Sequence, residues 1–170
     1  MIELLTAVEE SALSVFIREW PSVFGFPTIL FLHTLGLAMV AGTSIAIDLW
    51  ILRGATAGAP LNLLGLTRTM WAGFGINLIS GLALLLAYPA KALTNWVFYL
   101  KMALVLLGVY VAARINREIA ARGGISAVLT MGFDARRWAV VSLLLWAAAT
   151  VTGRLLAYTH NVLFTYELVR

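Results

Sequence analysis

Four long runs of apolar residues, separated by short polar segments, dominate the chain. They cover residues 26–52, 69–88, 96–114 and 138–160. Each run is about as long as the 20 residues that a helix needs to cross the hydrocarbon core of a bilayer. The pattern predicts an all-α integral membrane protein, an up-down bundle of four transmembrane helices that forms one domain over residues 1–170.

The segment before the first run has a different pattern. Residues 3–20 alternate apolar side chains with charged ones such as Glu9, Glu10 and Arg18 at helical spacing. This segment is amphipathic and too polar to span a bilayer, so it predicts an interfacial helix that precedes the bundle.

The cations between the runs are distributed unequally over the two sides of the predicted bundle. One side carries Arg53, Arg68, Arg114, Arg117, Arg122, Arg136 and Arg137, and the other carries Arg18, Lys91 and Arg170. Cytoplasmic loops are enriched in lysine and arginine. The distribution predicts a multi-pass protein of the bacterial inner membrane with both termini on the outer, periplasmic side.

Composition excludes several classes of protein. The chain is 62% apolar and 12% charged, whereas soluble domains are about 45–50% apolar. This composition excludes a soluble protein. The basic residues that give the chain its net charge of +4 lie in short loops between the apolar runs, where they determine topology. We therefore expect no nucleic acid partner. The chain has no cysteine, which leaves histidine, carboxylate, methionine or backbone groups to hold any metal or cofactor.

Three ionisable residues within the apolar runs share one depth. His33, Lys101 and Arg154 each lie about 8–10 Å below the outer boundary, at a rise of about 1.5 Å per residue. Charged groups within a membrane are costly and commonly mark a functional site. They predict a polar site in the outer half of the bundle. Asn77, in the middle of the second run, predicts a hydrogen-bonded bridge between helices.

The two histidines of the chain, His33 and His160, both belong to the outer half of the predicted bundle. Two imidazoles on separate helices can ligate the iron of a b-type haem, and Lys101 and Arg154 would neutralise its two propionates. His160 lies several ångströms shallower than His33, so this arrangement requires the fourth helix to shift inward by about one turn.

Two glycines lie near this depth, Gly36 and Gly81, and their missing side chains would leave space for a flat ring. A copper ion bound by the same histidines is a weaker alternative, because imidazole also binds copper and Met39 or Met102 could add a soft ligand.

Asp48 lies about 22 Å below His33 on the same run, near the opposite boundary. A carboxylate at this depth needs a partner, and Arg68 and Arg114 end the neighbouring runs. We expect a structural ion pair with one of them. A role in proton entry is the alternative.

Several local sequences resemble a family of small four-helix bacterial membrane proteins that is classed as a domain of unknown function. They are residues 31–37, 48–49, 95–101, 142–146 and 153–158. The resemblance implies a four-helix membrane fold and no assigned activity. His33, Asp48, Lys101 and Arg154 belong to these sequences, and His160 does not.

A looser similarity exists to the membrane domains of copper-resistance proteins and to small b-type cytochromes. It rests on a histidine near the start of a span that is followed by glycine, here His33 and Gly36. This resemblance implies redox or metal chemistry.

These features favour a small haem-b-binding electron-transfer protein. The alternatives are a non-catalytic accessory subunit of a larger membrane complex, and a subunit of an oligomeric transporter or channel with His33, Lys101 and Arg154 in an anion-favouring vestibule. We expect a redox carrier or an accessory subunit and not an enzyme, because no carboxylate lies near either histidine. The expected partners are the lipid bilayer and either other membrane subunits or further copies of this chain.

Overall fold

The structure is a computed structural model, and it describes residues 7–19, 25–53, 62–121 and 132–167. Both ends of the predicted interfacial helix lie outside these residues, and so do Arg122 and Arg170. The side chains of Lys91 and His160 are also outside the described part.

Every regular element in the described part of the chain is a helix. They are α1 (Ala12–Glu19), α2 (Phe26–Arg53), α3 (Leu63–Ala87), α4 (Pro89–Leu93), α5 (Trp96–Ala121) and α6 (Gly132–Glu167). Four are long and apolar enough to cross a membrane: α2, α3, α5 and the Asp134–Leu156 part of α6. The prediction of an all-helical chain with four helices that are able to span a membrane is therefore confirmed.

Four helix ends differ from the sequence prediction by several residues, and one of them is the end of α6, which lies at Glu167 and not at residue 160. α3 begins at Leu63 because Asn62 caps it, with the Asn62 side-chain oxygen accepting from the Gly65 backbone N–H at 2.9 Å. α5 and α6 both extend into the polar segment 116–137, which the sequence predicts as a loop. Residues 116–121 and 132–137 are helical, so that prediction is wrong at both ends of the segment.

The four spans form two well-packed pairs joined through α2. α2 packs against α3 and α6, and α5 packs against α6, whereas α3 and α5 make little contact with each other. Consecutive spans are antiparallel. We call the end of the bundle where α2 and α5 begin the α1 end, and the opposite end the far end.

α1 packs against the C-terminal end of α3, at the α1 end of the bundle. The buried Ser14 hydroxyl donates to the Ala87 carbonyl at 3.3 Å, and the Arg18 guanidinium lies 5.8 Å from the centre of the Tyr88 ring. The structure thus shows a helix over residues 12–19, and its position at a lipid interface stays a prediction.

All six described arginines of the larger cation group lie at the far end, as predicted. They are Arg53, Arg68, Arg114, Arg117, Arg136 and Arg137. Which side of the membrane this end faces stays a prediction.

The closest contact between helices is that of α2 with α3. A Cβ atom added to Gly36 would lie 2.6 Å from the Asn77 nitrogen and 2.8 Å from the Gly73 oxygen, and one added to Gly73 would lie 2.5 Å from Met39 Cβ. The two backbones touch here, as small residues allow in membrane helices. The prediction that Gly36 leaves space for a cofactor ring is wrong, because the backbone of α3 fills that space.

Replacing Gly36 with alanine is therefore expected to destabilise the bundle. The added methyl group would overlap backbone atoms, and overpacking of this kind costs about 1–3 kcal/mol. Gly42→Ala on the same helix is the matched control, because a Cβ there meets nothing within 4 Å and alanine favours a helix by up to about 1 kcal/mol. Unfolding free energies in mixed micelles would check this, and equal effects of the two substitutions would contradict it.

Candidate functional site

A cavity of about 330 Å³ lies between α3 and α5 in the half of the bundle nearest α1. Small-molecule sites have volumes of about 300–1,000 Å³. Leu82 and Leu106 line the cavity and are also more than half exposed on the outside of the bundle. The cavity is thus a cleft that opens between α3 and α5 toward the lipid.

His33, Asn77 and Lys101 place polar groups in this otherwise apolar cleft. The Nδ1 atom of His33 lies 3.1 Å from the Asn77 carbonyl oxygen. A carbonyl oxygen only accepts, so Nδ1 carries the ring proton and donates it. Nε2 then presents a lone pair, and it has no hydrogen-bond partner among the described residues. This resembles metal-bound histidines, which commonly donate their second ring N–H to a carbonyl or carboxylate.

The Asn77 side chain forms a second hydrogen bond between α2 and α3, in which α3 supplies the donor. Its Nδ2 donates to the His33 carbonyl oxygen at 2.8 Å and lies 3.3 Å from His33 Nδ1. The bridge between helices predicted for Asn77 is confirmed. Ser80 lies one turn further along α3, where its hydroxyl donates to the Ile76 carbonyl at 2.6 Å and lies 3.4 Å from His33 Nδ1.

Gly81 makes room for the imidazole. A Cβ atom added to Gly81 would lie 3.1 Å from His33 Cε1 and 3.4 Å from Nδ1. Gly81 does line the cleft, but its missing side chain serves the histidine ring, which differs from the predicted role of leaving space for a cofactor.

Lys101 reaches the cleft from α5. Its aliphatic stem passes α6, where a Cβ atom added to Gly153 would lie 3.8 Å from Lys101 Cε. Within the described part of the chain, its ammonium group has no hydrogen-bond or ion-pair partner. The cleft therefore combines an oriented imidazole with an uncompensated positive charge, which favours an anionic group on any ligand.

Arg154 and His160, the other residues predicted to form this site, both lie on α6. Arg154 is exposed and does not line the cleft. On α6 the cleft is lined by Leu156, and His160 lies one helical turn, about 6 Å, further along. Ligation by His160 stays a prediction.

Asp48 lies in a separate, buried cluster, and its predicted ion pair with Arg68 or Arg114 is not formed among the described residues. Asp48 is 1% exposed. The Arg114 guanidinium instead stacks on the Trp138 ring, 4.3 Å from its centre, which is the distance of a cation–π contact.

Sequence reasoning missed the residues beside Asp48, namely Ser142 on α6 and Asn116 on α5. One signal was available, because Ser142 and Asn116 are polar and each lies within four residues of a buried apolar position on its helix. The sequence suggested Met102 only as a soft ligand of a copper ion. In the structure, Met102 lines the cleft with His33.

Comparison with known proteins gives no match: no protein-family model, no curated protein and no solved structure matches this chain.

The hydrogen bond at Nδ1 makes a spectroscopic prediction. Because the chain has only two histidines, a protein labelled with ¹⁵N-histidine gives two imidazole spin systems, and the His33→Gln variant assigns them. We expect the neutral His33 ring to carry its proton on Nδ1. A ring protonated on Nε2 would contradict the geometry.

Gly81→Ala should perturb the same signals, because the new methyl group displaces the ring by a few tenths of an ångström. Gly75→Ala is the matched control on α3, since a Cβ at Gly75 meets nothing within 4 Å. It should leave the His33 signals unchanged. Unchanged signals in Gly81→Ala would show that the ring does not pack against α3 as described.

Proposed function

We propose that the cleft between α3 and α5 binds haem b and that the protein is a small membrane electron carrier. The observation that carries the proposal is the His33 imidazole, which is held through Nδ1 by the Asn77 carbonyl and leaves Nε2 free in an apolar cleft. An orienting hydrogen bond of this kind fixes the ring and increases the basicity of the ligating nitrogen.

The residues of the cleft fit such a group. Phe74, Phe98 and Leu78 supply apolar and aromatic surface for a planar ring and exclude water from it. Lys101 supplies an unpaired cation for a propionate. When bound, the haem would supply one-electron redox chemistry, with its potential set by the axial ligands and by the surrounding polarity.

The same residues fit haem better than copper. Among the described residues no group of three histidine or carboxylate side chains could hold a metal ion. Among the described residues of the cleft, a copper ion would have only His33 and Met102, whereas haem brings four nitrogen ligands of its own and requires one or two from the protein.

Two residues are candidates for a second axial ligand. Met102 lines the cleft with His33, and His160 is the ligand expected from the sequence. Bis-histidine and histidine–methionine ligation differ in absorption spectrum and in potential, so single substitutions His160→Ala and Met102→Leu identify which one binds.

The proposed setting is the bacterial inner membrane, with the α1 end of the bundle on the outer side. The cleft then lies in the outer half, and electrons would pass to partners near that face. Further subunits or a second copy of the chain are part of this proposal, and copurification from mild detergent tests it.

The decisive experiment is an absorption spectrum of protein purified from a haem-replete host, before and after dithionite, with a pyridine haemochrome assay. We expect about one haem per chain. His33→Gln should lose at least about tenfold in haem affinity, since even the loss of a group that only hydrogen-bonds a metal ligand costs about 10–100-fold at metal sites. A colourless wild-type protein would overturn the proposal.

Lys101→Gln and Arg154→Gln form a matched pair for this test, because each removes one cation from the same half of the bundle. Only the Lys101 substitution should weaken haem binding, since only Lys101 lines the cleft. Equal effects would mean that the charge acts through the general field and not through contact with the ligand.

A second candidate is lateral binding of a membrane-soluble amphiphile that has a carboxylate or carbonyl head. The lipid-facing opening at Leu82 and Leu106 favours it, because such a ligand could enter from the bilayer and place its head against His33 and Lys101. Organic extraction and mass spectrometry of a colourless preparation would detect the ligand. It should be depleted in Lys101→Gln and retained in Arg154→Gln.

A further inference from the structure

Asp48 lies in the centre of the bundle, toward the far end, in a cluster that the cleft does not use. It is 1% exposed, and its Oδ2 atom has no hydrogen-bond partner within the part of the chain that the structure describes. The fully buried Ser142 hydroxyl on α6 lies beside the carboxyl group, yet Ser142 Oγ also lacks a partner in hydrogen-bonding geometry. Trp146, one turn along α6, has an unpartnered buried Nε1 as well.

The remaining polar groups near Asp48 already have partners. The Ser44 hydroxyl donates to the Val40 carbonyl at 2.9 Å. The amide of Asn116 on α5 donates to the sulfur of Met70 on α3 at 3.5 Å. Asp48 therefore lies beside groups of α5 and α6 without receiving a charged partner from any described residue.

Several ionisable groups lie at this end of the bundle. They are Arg53 on α2, Arg68 on α3, Arg114, Arg117 and Glu118 on α5, and Asp134, Arg136 and Arg137 on α6. Among the residues that the structure describes, none forms an ion pair with Asp48. A carboxylate that is buried without a cation carries a large desolvation cost.

The space beside Asp48 does not suit the two species that commonly compensate a buried carboxylate, a bridging water and a metal cation. It is lined by Ser44, Ile47, Asn116 and neighbouring residues and admits no water-sized sphere, so a bridging water does not fit. Hard cations require several oxygen ligands, and only Asp48 and Ser142 offer unpartnered oxygens here. A proton is the one species that removes the charge and fits the space, because protonated Oδ2 can donate to Ser142 Oγ.

A route to water lies close to this cluster. A second cavity of about 190 Å³ at the far end is lined by Arg114, Glu118 and Asp134, of which Arg114 and Asp134 are exposed. Ile115 lines both this cavity and the narrow space beside Asp48. A single isoleucine side chain thus borders the charged cavity on one side and the buried carboxyl on the other.

We infer that Asp48 is an exchangeable proton-binding site of the bundle, filled and emptied through the cavity lined by Glu118 and Asp134. In uptake, one O–H bond of a hydronium ion in that cavity breaks and the hydronium becomes water. The proton forms an O–H bond with Oδ2. Release is the reverse step. The site shares no described side chain with the cleft of His33, so the inference does not depend on the proposed haem.

The test is infrared difference spectroscopy of the full chain in lipid vesicles over the pH range in which it stays folded. We expect one carboxylic-acid C=O band that shifts in D₂O, changes intensity with pH and is absent in the isosteric Asp48→Asn variant. Ser142→Ala should keep the band and move it to higher frequency, since the hydrogen bond to the hydroxyl is lost. Glu10→Gln, the control for an exposed carboxyl outside the proposed route, should leave it in place.

Three outcomes would overturn the inference. They are the absence of any band assigned to Asp48, a band that no change of pH or of solvent isotope alters, and a band that responds to sodium concentration at constant pH. If Asp48→Asn does not fold, the frequency shift in Ser142→Ala still assigns the band. Ile115→Ala, which thins the barrier, should speed hydrogen–deuterium exchange of the band, and an unchanged or slower rate would count against the proposed route.

Discussion

The close approach of α2 to α3 is the constraint on which the rest of the structure depends. Gly36 and Gly73 let the two backbones touch, and the Asn77 backbone lies directly opposite Gly36. His33 is one turn before Gly36, so this approach is what brings its imidazole within 3.1 Å of the Asn77 carbonyl. A larger residue at either glycine would separate the helices and remove the hydrogen bond that orients the ring.

The same contact explains why the cleft exists. α2 is the most buried of the four spans, and it holds α3 on one side and α6 on the other, while the main partner of α5 among the spans is α6. α3 and α5 are left facing each other across a gap. Because that gap contains both an imidazole and an ammonium group that has no partner among the described residues, it is chemically different from an ordinary groove that lipid chains fill.

The sequence predicted the four spans, the shared depth of His33 and Lys101 and the bridge through Asn77, because length, apolarity and the rise per residue determine them. It did not predict which side of each helix faces a neighbour. α2 and α3 are apolar all round, so no face is distinguished, and the sequence did not show that Gly36 meets the backbone of α3 or that Gly81 makes room for the His33 ring. The extra turns of α5 were hidden by polar residues, although Ile115 and Ile119 keep helical spacing there. The ion pair expected at Asp48 failed because arginine can stack on tryptophan, and depth alone does not choose between the two contacts.

The buried polar residues of α2 show why Asp48 is chemically unlike its neighbours. The Thr43 hydroxyl donates to the Met39 carbonyl at 2.7 Å, and the Ser44 hydroxyl donates to Val40 in the same way, so each hydroxyl is satisfied by its own helix. An ionised carboxylate has no hydrogen to give and depends on a donor from elsewhere. Serine at this position could satisfy itself, and asparagine could donate to Ser142 without charge. An aspartate is the residue whose hydrogen bonding here changes with a single proton, and the fold surrounds it with groups that do not fix its charge.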